Sequence, residues 1–359
     1  MKKKIVFCVY NLDIGGIETA LVSLLNNLDM SKYEIYLFLV KKEGVFLNSI
    51  SPDIKIINFD VCESKNIIYR KIVNLCKVQY FKFKYKNKFD FAAAYATSIK
   101  ACTKLAHYFS KNNAIWIHGD FTQEFKNKAL KKFIKFINVQ KYRKIVFVSN
   151  SIKNNFTKAG IHFKGKSYVF NNFIDYNRIK KLAEENHVEK RKTTFINVSR
   201  HEEKAKNLLL LLRCVKRLIN EGYNFDLWMI GDGPDHELYT DFVKNNNLEN
   251  VVTFYGRKSN PFVYYKAADA VVLSSVFEGN PVAFIEAKVL GKPIITTNVS
   301  DALIDIKDKY GIVTDINDES YYNGLKQFLN NGFLPQKFNP QQFNKEILQQ
   351  LEQVINKLN

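Results

Sequence analysis

Short apolar runs alternate with amphipathic helical patterns along most of the chain, and this alternation constrains the fold more than any other feature. It is typical of βαβ units and parallel sheets. The predicted helices include Ile17–Leu28, Asn207–Asn220 and Pro340–Leu358. The predicted strands are Lys4–Tyr10, Tyr33–Val40, Phe89–Tyr95, Ala114–His118, Lys144–Ser149, Thr194–Ser199, Phe225–Gly231, Val251–Tyr255, Ala270–Leu273 and Pro293–Thr296.

The pattern occurs in two series, separated by the charged stretch Phe173–Lys192, which we interpret as a linker. A chain of 359 residues has room for about two domains of ordinary size. We therefore predict an α/β protein with two Rossmann-like, doubly wound domains, over residues 1–180 and 190–339. The terminal helix over residues 340–359 is predicted to return to the first domain.

The segment Phe277–Pro293 (FEGNPVAFIEAKVLGKP) has the pattern of a binding loop followed by a helix. Pro281 suits the first turn of that helix, and Gly291 followed by Pro293 ends it. Backbone N–H groups at a helix N-terminus bind anions, above all at the carboxyl end of a parallel strand. The stretch that presents these groups is Gly279, Asn280, Pro281 and Val282, in which Pro281 itself has no N–H. The segment thus predicts an anion site.

Two glutamates accompany this helix start. Glu286 lies one helical turn further in, where a carboxylate can accept two vicinal hydroxyls, as from a ribose. Glu278 lies in the loop, where it can reach a sugar. Alternatively, Glu278 stabilises the helix dipole and Glu286 is an ordinary surface residue.

The spacing of these residues, E-G-x-P-x4-E-A-x3-G-x-P, resembles the E-x7-E signature of the retaining GT-B glycosyltransferases of sequence family 4. The turn Ile230–Pro234 (IGDGP) and the stretch Asn172–Asp175 (NFID) are similar to other parts of that family. The resemblance implies two domains that face each other across a cleft. It implies that Glu286 binds the nucleotide ribose and Glu278 lies by the donor sugar. The amides of residues 279–282 would then hold the diphosphate and the sugar.

A second element is the basic stretch Asn197–Leu209 (NVSRHEEKAKNLL). Arg200 and a following Lys can clamp a diphosphate, the Arg by its planar fork and the Lys as a point charge. The family pattern places the Lys where this chain has an Ala, with Lys204 and Lys206 on either side. We favour Lys206, because it opens the next helix in a loop one residue longer; Lys204 remains the alternative. Taken alone, such a stretch is also typical of a solvated loop.

The amino-terminal half offers two further candidates. Gly15 and Gly16 lie between the first strand and the first helix, where glycines permit unusual dihedral angles and close approach to a ligand. They resemble the family's glycine loop over the donor phosphates, although a pair of glycines is also typical of a plain tight turn. His118 ends a predicted strand, and the family has a His near this place that touches the donor sugar. A lone His is otherwise more often structural.

No D-x-D motif and no His/Cys/Asp cluster with metal-ligand spacing occurs in the sequence. We therefore expect no metal and no cofactor, with the charge of the leaving group balanced by Arg200, Lys206 and helix amides. The resemblance implies that the anomeric configuration is retained by same-face attack, in which the leaving phosphate takes the acceptor's proton.

The charge is strongly unbalanced, with 54 Lys and Arg against 35 Asp and Glu, which predicts a polyanionic partner. Two segments contain no acid, Ser64–Phe89 and Phe125–Ile174. In the second segment one helical face is apolar and the residues around it are lysines. The apolar positions are Phe125, Ala129, Leu130, Phe133, Ile134 and Ile137, and the lysines are Lys126, Lys128, Lys131, Lys132 and Lys135. This pattern favours an anionic membrane surface, or else an ordinary surface helix on the core.

Five scattered cysteines without a CxxC pair indicate reduced thiols, and no nucleic-acid motif is present. We therefore expect a cytoplasmic glycosyltransferase, peripheral on the inner face of the cell membrane. It would move a sugar from a nucleotide-diphosphate-sugar, with UDP favoured, to a lipid-linked or polysaccharide acceptor of the bacterial surface. The alternatives are a GT-B nucleotide-sugar epimerase and a basic, non-catalytic binding protein on the same fold.

Overall fold

The computed structural model describes residues 1–97, 99–125, 127–299 and 306–356. These residues form two compact units. The first unit comprises Met1–Ile174 and the segment that begins at Gln341, and the second comprises Asp175–Pro340. Each unit has its own hydrophobic core.

The first unit is a seven-stranded parallel sheet with helices between its strands. Its strands are β1 (Lys3–Val9), β2 (Tyr33–Leu39), β3 (Lys55–Asn58), β4 (Phe91–Ala94), β5 (Asn113–Ile117), β6 (Lys144–Phe147) and β7 (Lys166–Val169). Its helices up to this point are α1 (Gly16–Asn26), α2 (Ile67–Tyr85), α3 (Lys100–Phe109), α4 (Phe121–Glu124), α5 (Asn127–Ile137) and α6 (Asn150–Lys158). Short 3₁₀ turns lie at Val45–Ser49 and Val139–Lys141.

The second unit is a six-stranded parallel sheet. Its strands are β8 (Thr193–Val198), β9 (Phe225–Ile230), β10 (Val252–Gly256), β11 (Ala270–Leu273), β12 (Ile294–Thr297) and β13 (Gly311–Thr314). Its helices are α7 (Tyr176–Ala183), α8 (Glu203–Lys206), α9 (Leu208–Asn220), α10 (His236–Asn245), α11 (Phe262–Ala267), α12 (Val282–Val289) and α13 (Asp318–Asn331).

Both sheets are doubly wound, and in each the strand order reverses once. The orders are β3-β2-β1-β4-β5-β6-β7 and β10-β9-β8-β11-β12-β13. The reversal therefore falls between β1 and β4 in the first unit and between β8 and β11 in the second. Open parallel sheets bind ligands beyond the carboxyl ends of the strands at such a switch point, because the flanking loops turn away in opposite directions.

The last helix, α14 (Pro340–Asn356), packs on the first unit. Ile347, Leu351 and Val354 lie in that unit's core. The helix end is held by the buried Lys144, whose ammonium donates to the carbonyl of Val354 at 2.5 Å. Asn112 also donates to the carbonyl of Ile355 at 2.6 Å.

The α/β class predicted from the sequence is confirmed, and the predicted strands are all present with ends that differ by a few residues. The strands β3, β7 and β13 were missed because they are short, lie at sheet edges and carry polar residues. The stretch interpreted as a linker contains α7, which belongs to the second unit. Among the described helices, none combines the length and the apolar character needed to cross a bilayer.

Candidate functional site

The switch point of the second unit opens where β8 and β11 stop pairing. Their register runs only from Ala270 opposite Phe195 to Val271 opposite Ile196. Beyond it, the buried side chain of Asn197 donates to the carbonyl of Val272 at 2.8 Å. A side-chain hydrogen bond thus replaces the backbone hydrogen bonds between β8 and β11 at the point where the two strands diverge.

The helix α8 places Lys206 at this opening. The amide of Glu203 donates to Asp235 at 2.7 Å, and its carboxylate accepts from the hydroxyl of Tyr239 and from the amide of Leu209. Asn207 then takes a left-handed conformation (φ 49°, ψ 47°) between α8 and α9. Left-handed backbone is open to Asn at little cost, so α8 can end after four residues and the chain can restart as α9.

The loop after β11 is bound to α8 by hydrogen bonds. The amide of Val276 donates to the carbonyl of Ala205 at 2.9 Å, and the hydroxyl of Ser274 donates to the carbonyl of Lys206 at 3.0 Å. Thr297 of β12 donates to the carbonyl of Ser275 at 2.6 Å. The two segments that carry the predicted site are therefore fixed to each other.

Lys206 and Glu278 meet as an ion pair in this opening. The ammonium lies 2.5 Å from Oε1 of Glu278, and the hydroxyl of Ser275 donates to the same oxygen at 2.7 Å. The side chains are 22% and 11% exposed, respectively. A partly buried pair is screened little by salt, so each of its charges can act strongly on a charged ligand that enters the opening.

The helix α12 follows directly. Pro281 precedes its first residue, Val282, as the N-cap, and the amide of Phe284 donates back to the carbonyl of Pro281 at 3.1 Å. The helix ends at Gly291 (φ 65°), with Lys292 donating to the carbonyl of Ala287, as the sequence predicts. Backbone N–H groups in the first turn of a helix have no carbonyl of their own helix in the preceding turn to bind. The start of α12 can therefore offer hydrogen-bond donors to a ligand.

Glu286 lies inside α12, and it is buried rather than on the surface, at 8% exposure. The hydroxyl of Tyr265 in α11 donates to Oε2 at 3.2 Å. Burial raises the pKa of Glu286 to about 7, and Tyr265 and the positive charge of Arg178 in α7 oppose this shift. A buried carboxyl whose pKa is shifted to near neutral pH is typical of functional sites.

The turn after β9 packs on residues 199–201, which follow β8. Gly231 (φ 141°) lies so close to Ser199 that a Cβ would come within 1.9 Å of its carbonyl oxygen. A Cβ on Gly233 would lie 2.2 Å from the carbonyl oxygen of His201. Only glycine fits at these two positions, which explains the IGDGP sequence of this turn.

Arg200 and Lys204 are placed differently from Lys206. The Arg200 side chain is 66% exposed and lies 3.7 Å from Glu202, with which it pairs. Lys204 is exposed on α8. Of the two candidate lysines, Lys206 is therefore the one that contacts Glu278.

In the first unit, Gly15 and Gly16 follow β1 at the switch point. Gly15 is the N-cap of α1 in ordinary extended backbone (φ −171°, ψ 156°), so the unusual dihedral angles expected here do not occur. The side chain of Glu18 instead occupies the space that a Cβ on Gly15 would fill, because its Oε2 would lie only 2.3 Å from such a Cβ. Burial, and then the charge of Asp13, raise the pKa of Glu18.

His118 follows β5, two strands from β1. Both ring nitrogens are buried without a hydrogen-bond partner among the residues that the structure describes, and the ring lies 4.6 Å from that of Tyr95, which follows β4. Burial lowers the pKa of His118 to about 3, and the main chain of Tyr95 opposes this shift. The imidazole is therefore neutral, with one donor and one acceptor unsatisfied.

Several contributors were not predicted from the sequence. Ser275 precedes Glu278 by three residues at a strand end, a position that could have suggested it. Tyr265 and Arg178 gave no such signal, because each acts on Glu286 from a separate helix, and neither did Glu18 at the switch point of the first unit.

The carboxyl-terminal part of the chain matches the family described as glycosyl transferases group 1, over residues 178–345. A relative from Campylobacter jejuni, N-acetylgalactosamine-N,N'-diacetylbacillosaminyl-diphospho-undecaprenol 4-alpha-N-acetylgalactosaminyltransferase, is 24% identical over 91% of this chain and 90% of its own. An uncharacterised glycosyltransferase from Methanocaldococcus jannaschii is 27% identical over 56% of this chain. The chain spans 55% of that relative's length.

Solved structures share the fold over the whole chain. Staphylococcus aureus TarM, in a complex that contains UDP, aligns with a TM-score of 0.78 at 13% identity, covering 99% of this chain and 100% of its own. Anabaena HepE with UDP and glucose aligns with a TM-score of 0.76 at 17% identity, covering 98% and 99%. These likenesses establish the fold.

Proposed function

We propose that this chain is a glycosyltransferase that moves a sugar from a nucleotide-diphosphate-sugar to a lipid-linked or glycan acceptor, which its GT-B fold and the match of its carboxyl-terminal part to the group 1 glycosyl transferases support. The observation that carries the proposal is the ion pair of Lys206 and Glu278 at the switch point between β8 and β11. It places a cation and a carboxylate beside the start of α12, where a diphosphate and a sugar need them.

The second unit would hold the donor. Lys206 would exchange Glu278 for a phosphate oxygen, with Arg200 as a second cation and the N–H groups of the non-proline residues among 279–282 as donors. Glu278, held by Ser275, would then face the sugar. Glu286 would accept hydrogen bonds from the ribose hydroxyls, while the hydroxyl of Tyr265 donates to its Oε2.

The reaction we propose retains the anomeric configuration and needs no metal. The bond from C1 to the phosphate oxygen breaks, and a bond from C1 to the acceptor oxygen forms on the same face. The acceptor's proton passes to the leaving phosphate. We propose that Lys206, Arg200 and the helix amides stabilise the negative charge that develops on the leaving group. We also propose that the neutral His118 and the Gly15–Gly16 turn of the first unit bind the donor.

UDP is the favoured nucleotide, since UDP is bound in the TarM and HepE structures. The acceptor class is supported by the Campylobacter relative, whose name specifies a diphospho-undecaprenol substrate. A lipid-linked acceptor requires access to a membrane. With a net charge of +19, the chain suits the anionic inner face of the cell membrane, where we propose that it works as a cytoplasmic, peripheral protein.

A screen of UDP-, GDP- and ADP-sugars for hydrolysis and transfer tests the proposal. We expect UDP-sugar turnover, release of the sugar without epimerisation, and a product with the anomeric configuration of the donor. Glu278→Gln should lower turnover far more than nucleotide affinity, whereas Glu249→Gln, at an exposed position of the same unit, should leave both unchanged. Release of an epimerised sugar would establish the epimerase alternative, and nucleotide binding without turnover would establish the binding protein.

A further inference from the structure

The helix α2 exposes an unusual amount of apolar surface. More than half of the accessible surface remains on each of a series of large apolar side chains along it. They are Ile67, Ile68, Tyr69, Ile72, Leu75, Tyr80 and Phe83, with Ile68 at 71% and Phe83 at 87%. Single exposed apolar residues are ordinary, but a contiguous group on one helix marks an interaction surface.

Four of these side chains lie on the face of α2 that points away from the protein. Ile68, Ile72, Leu75 and Phe83 recur at helical spacing and form one outward stripe. The opposite face carries Phe81, which is buried in the core, with Val78 and Tyr85 packed against it. The core contact is thus already complete, and the outward stripe has no role in it.

The inner face of α2 is also held by polar contacts. Asn74 accepts from the amide of Cys62 at 2.8 Å and donates to its carbonyl at 2.9 Å. Lys77 pairs with Asp60 at 3.3 Å. The helix is therefore fixed in place, and its outward face is presented on a rigid support.

The charge around the stripe has one sign. Residues 64–89 contain no acid, and the basic residues among them are Lys65, Arg70, Lys71, Lys77, Lys82, Lys84, Lys86 and Lys88. Two of these lysines lie over tyrosine rings, Lys82 over Tyr108 at 4.3 Å and Lys84 over Tyr80 at 5.3 Å. Apolar side chains flanked by lysines and tyrosines suit the boundary between lipid headgroups and acyl chains.

The other basic amphipathic helix, α5, is different. Its apolar residues Leu130, Phe133 and Ile134 pack against the core, and Ile137 is fully buried. Leu130 and Ile134 also line a cavity of about 860 Å³ together with Phe125 and Ile161. The sequence pattern that favoured α5 for shallow insertion therefore reflects its packing on the core, and α5 offers only its exposed lysines to a membrane.

We propose that α2 is the membrane-inserting element, lying in the plane of an anionic bilayer with Ile68, Ile72, Leu75 and Phe83 below the headgroups. Its lysines bind the lipid phosphates on both sides of the stripe, and the lysines of α5 add long-range attraction without insertion. This inference rests on the proposed membrane attachment and names the surface that makes it, but its test needs neither donor nor acceptor.

The first test is co-sedimentation of the full chain with phosphatidylcholine vesicles that contain or lack phosphatidylglycerol. The variant Ile72→Ser/Leu75→Ser/Phe83→Ser should bind anionic vesicles more than about tenfold more weakly than wild type, because each lost side chain removes apolar area from the bilayer. Leu334→Ser, which changes an apolar residue exposed at 93% in the second unit, is the matched control and should bind as wild type. Circular dichroism and thermal unfolding, compared with wild type, show whether the triple variant is folded.

The second test uses Phe83→Trp as a reporter, since both native tryptophans, Trp116 and Trp228, are buried. The emission of the introduced indole should shift to the blue on anionic vesicles and be quenched by brominated acyl chains. If wild type binds anionic vesicles but the triple variant binds equally well, or the introduced indole stays in water, this inference is wrong while the membrane attachment stands. If wild type binds no vesicles, the attachment itself is wrong, and the glycosyltransferase proposal is decided separately by donor turnover.

Discussion

The two switch points of this molecule have the same topology and opposite chemistry. At β8/β11, Lys206 and Glu278 form a charged pair with fixed partners. At β1/β4, the residues that face the opening are the Gly15–Gly16 turn and a carboxyl, Glu18, whose pKa is raised by burial. The neighbouring His118 is neutral, because burial lowers its pKa to about 3.

This difference suggests a division of labour under the proposed function. Fixed charges are useful where a diphosphate must be held and its leaving-group charge stabilised. Neutral groups with unsatisfied hydrogen-bonding capacity are useful where hydroxyls must be positioned without attracting ions. We therefore expect substitutions in the second unit to have larger effects, and to act on nucleotide binding and leaving-group chemistry. Substitutions in the first unit should be milder and leave the nucleotide untouched.

The largest effect is expected for Lys206→Ala. Removing a preorganised cation should cost roughly 2–4 kcal/mol of transition-state stabilisation, which is about 30- to 1000-fold in kcat/KM. Steady-state kinetics with the donor identified in the screen gives the value.

Lys204→Ala is the matched control, since Lys204 lies on the same four-residue helix but is exposed. It should remain within about threefold of wild type, the range of ordinary surface changes. A crippled Lys204→Ala beside an active Lys206→Ala would reverse the assignment of the phosphate ligand.

The next effect concerns Glu286 and pH. Its folded-state pKa is raised to about 7 from an ordinary value of 4.5, because the carboxyl is buried. Ribose hydroxyls donate best to the ionised form, so wild-type affinity for free UDP should rise with pH and level off above about 7. Glu286→Gln should bind UDP about 1.5–3 kcal/mol more weakly at pH 8, the range for hydrogen bonds to a charged group, and lack this pH dependence. Calorimetry across pH measures both.

The same shift has a consequence for folding. A carboxyl with a raised folded-state pKa stabilises the fold fully below its unfolded pKa, and this contribution is lost as pH rises through about 7. Relative to wild type, Glu286→Gln should therefore gain in Tm as pH rises from 4.5 to 8. A constant difference in Tm across that range would contradict the burial of an ionisable carboxyl here.

A smaller effect is expected for His118→Ala. The ring nitrogens have no hydrogen-bond partner in the described part of the folded protein, so the hydrogen bond lost would be the one we propose with the donor sugar, and we expect about 1 kcal/mol, or about fivefold, in kcat. Affinity for free UDP should be unchanged. Since the pKa of His118 is lowered to about 3, the pH–rate profile from pH 5 to 8 should keep its shape in the variant. A weakened affinity of His118→Ala for UDP would contradict the expectation that substitutions in the first unit leave nucleotide binding unchanged.

Much of this comparison could be predicted from the sequence, because buried parallel strands appear as apolar runs and their carboxyl ends locate the loops. Arg200, Glu278 and His118 were located at such strand ends and Glu286 one helical turn beyond, but their assignment to a donor site also rested on the resemblance to a known family. The sequence favoured Lys206 but left Lys204 as the alternative, since the choice depends on where α8 ends. That end is set by Asn207 and by the contacts of Glu203, which no spacing reveals.

Packing between helices was the other limit. The burial of Glu286 depends on Tyr265 and α7, which come from separate parts of the chain. The same limit affected the basic helices, because α2 and α5 have similar compositions but opposite orientations of their apolar faces. Periodicity shows that a helix has an apolar face, whereas only the fold shows whether that face is covered.

The smallest effect, none at all, is expected on adding excess EDTA to the reaction. The sequence contains no D-x-D motif, and the second switch point instead provides Lys206, Arg200 and the amide end of α12. Cations fixed in the protein can stabilise a leaving diphosphate as a bound metal does, so kcat should be the same with and without the chelator. Lys206→Ala assayed with added Mg²⁺ is the informative companion, since an ion that replaced the lost charge would restore part of its activity. If EDTA abolishes wild-type turnover and Mg²⁺ or Mn²⁺ restores it, the diphosphate is held by a metal, and the chemical contrast between the two switch points loses its basis.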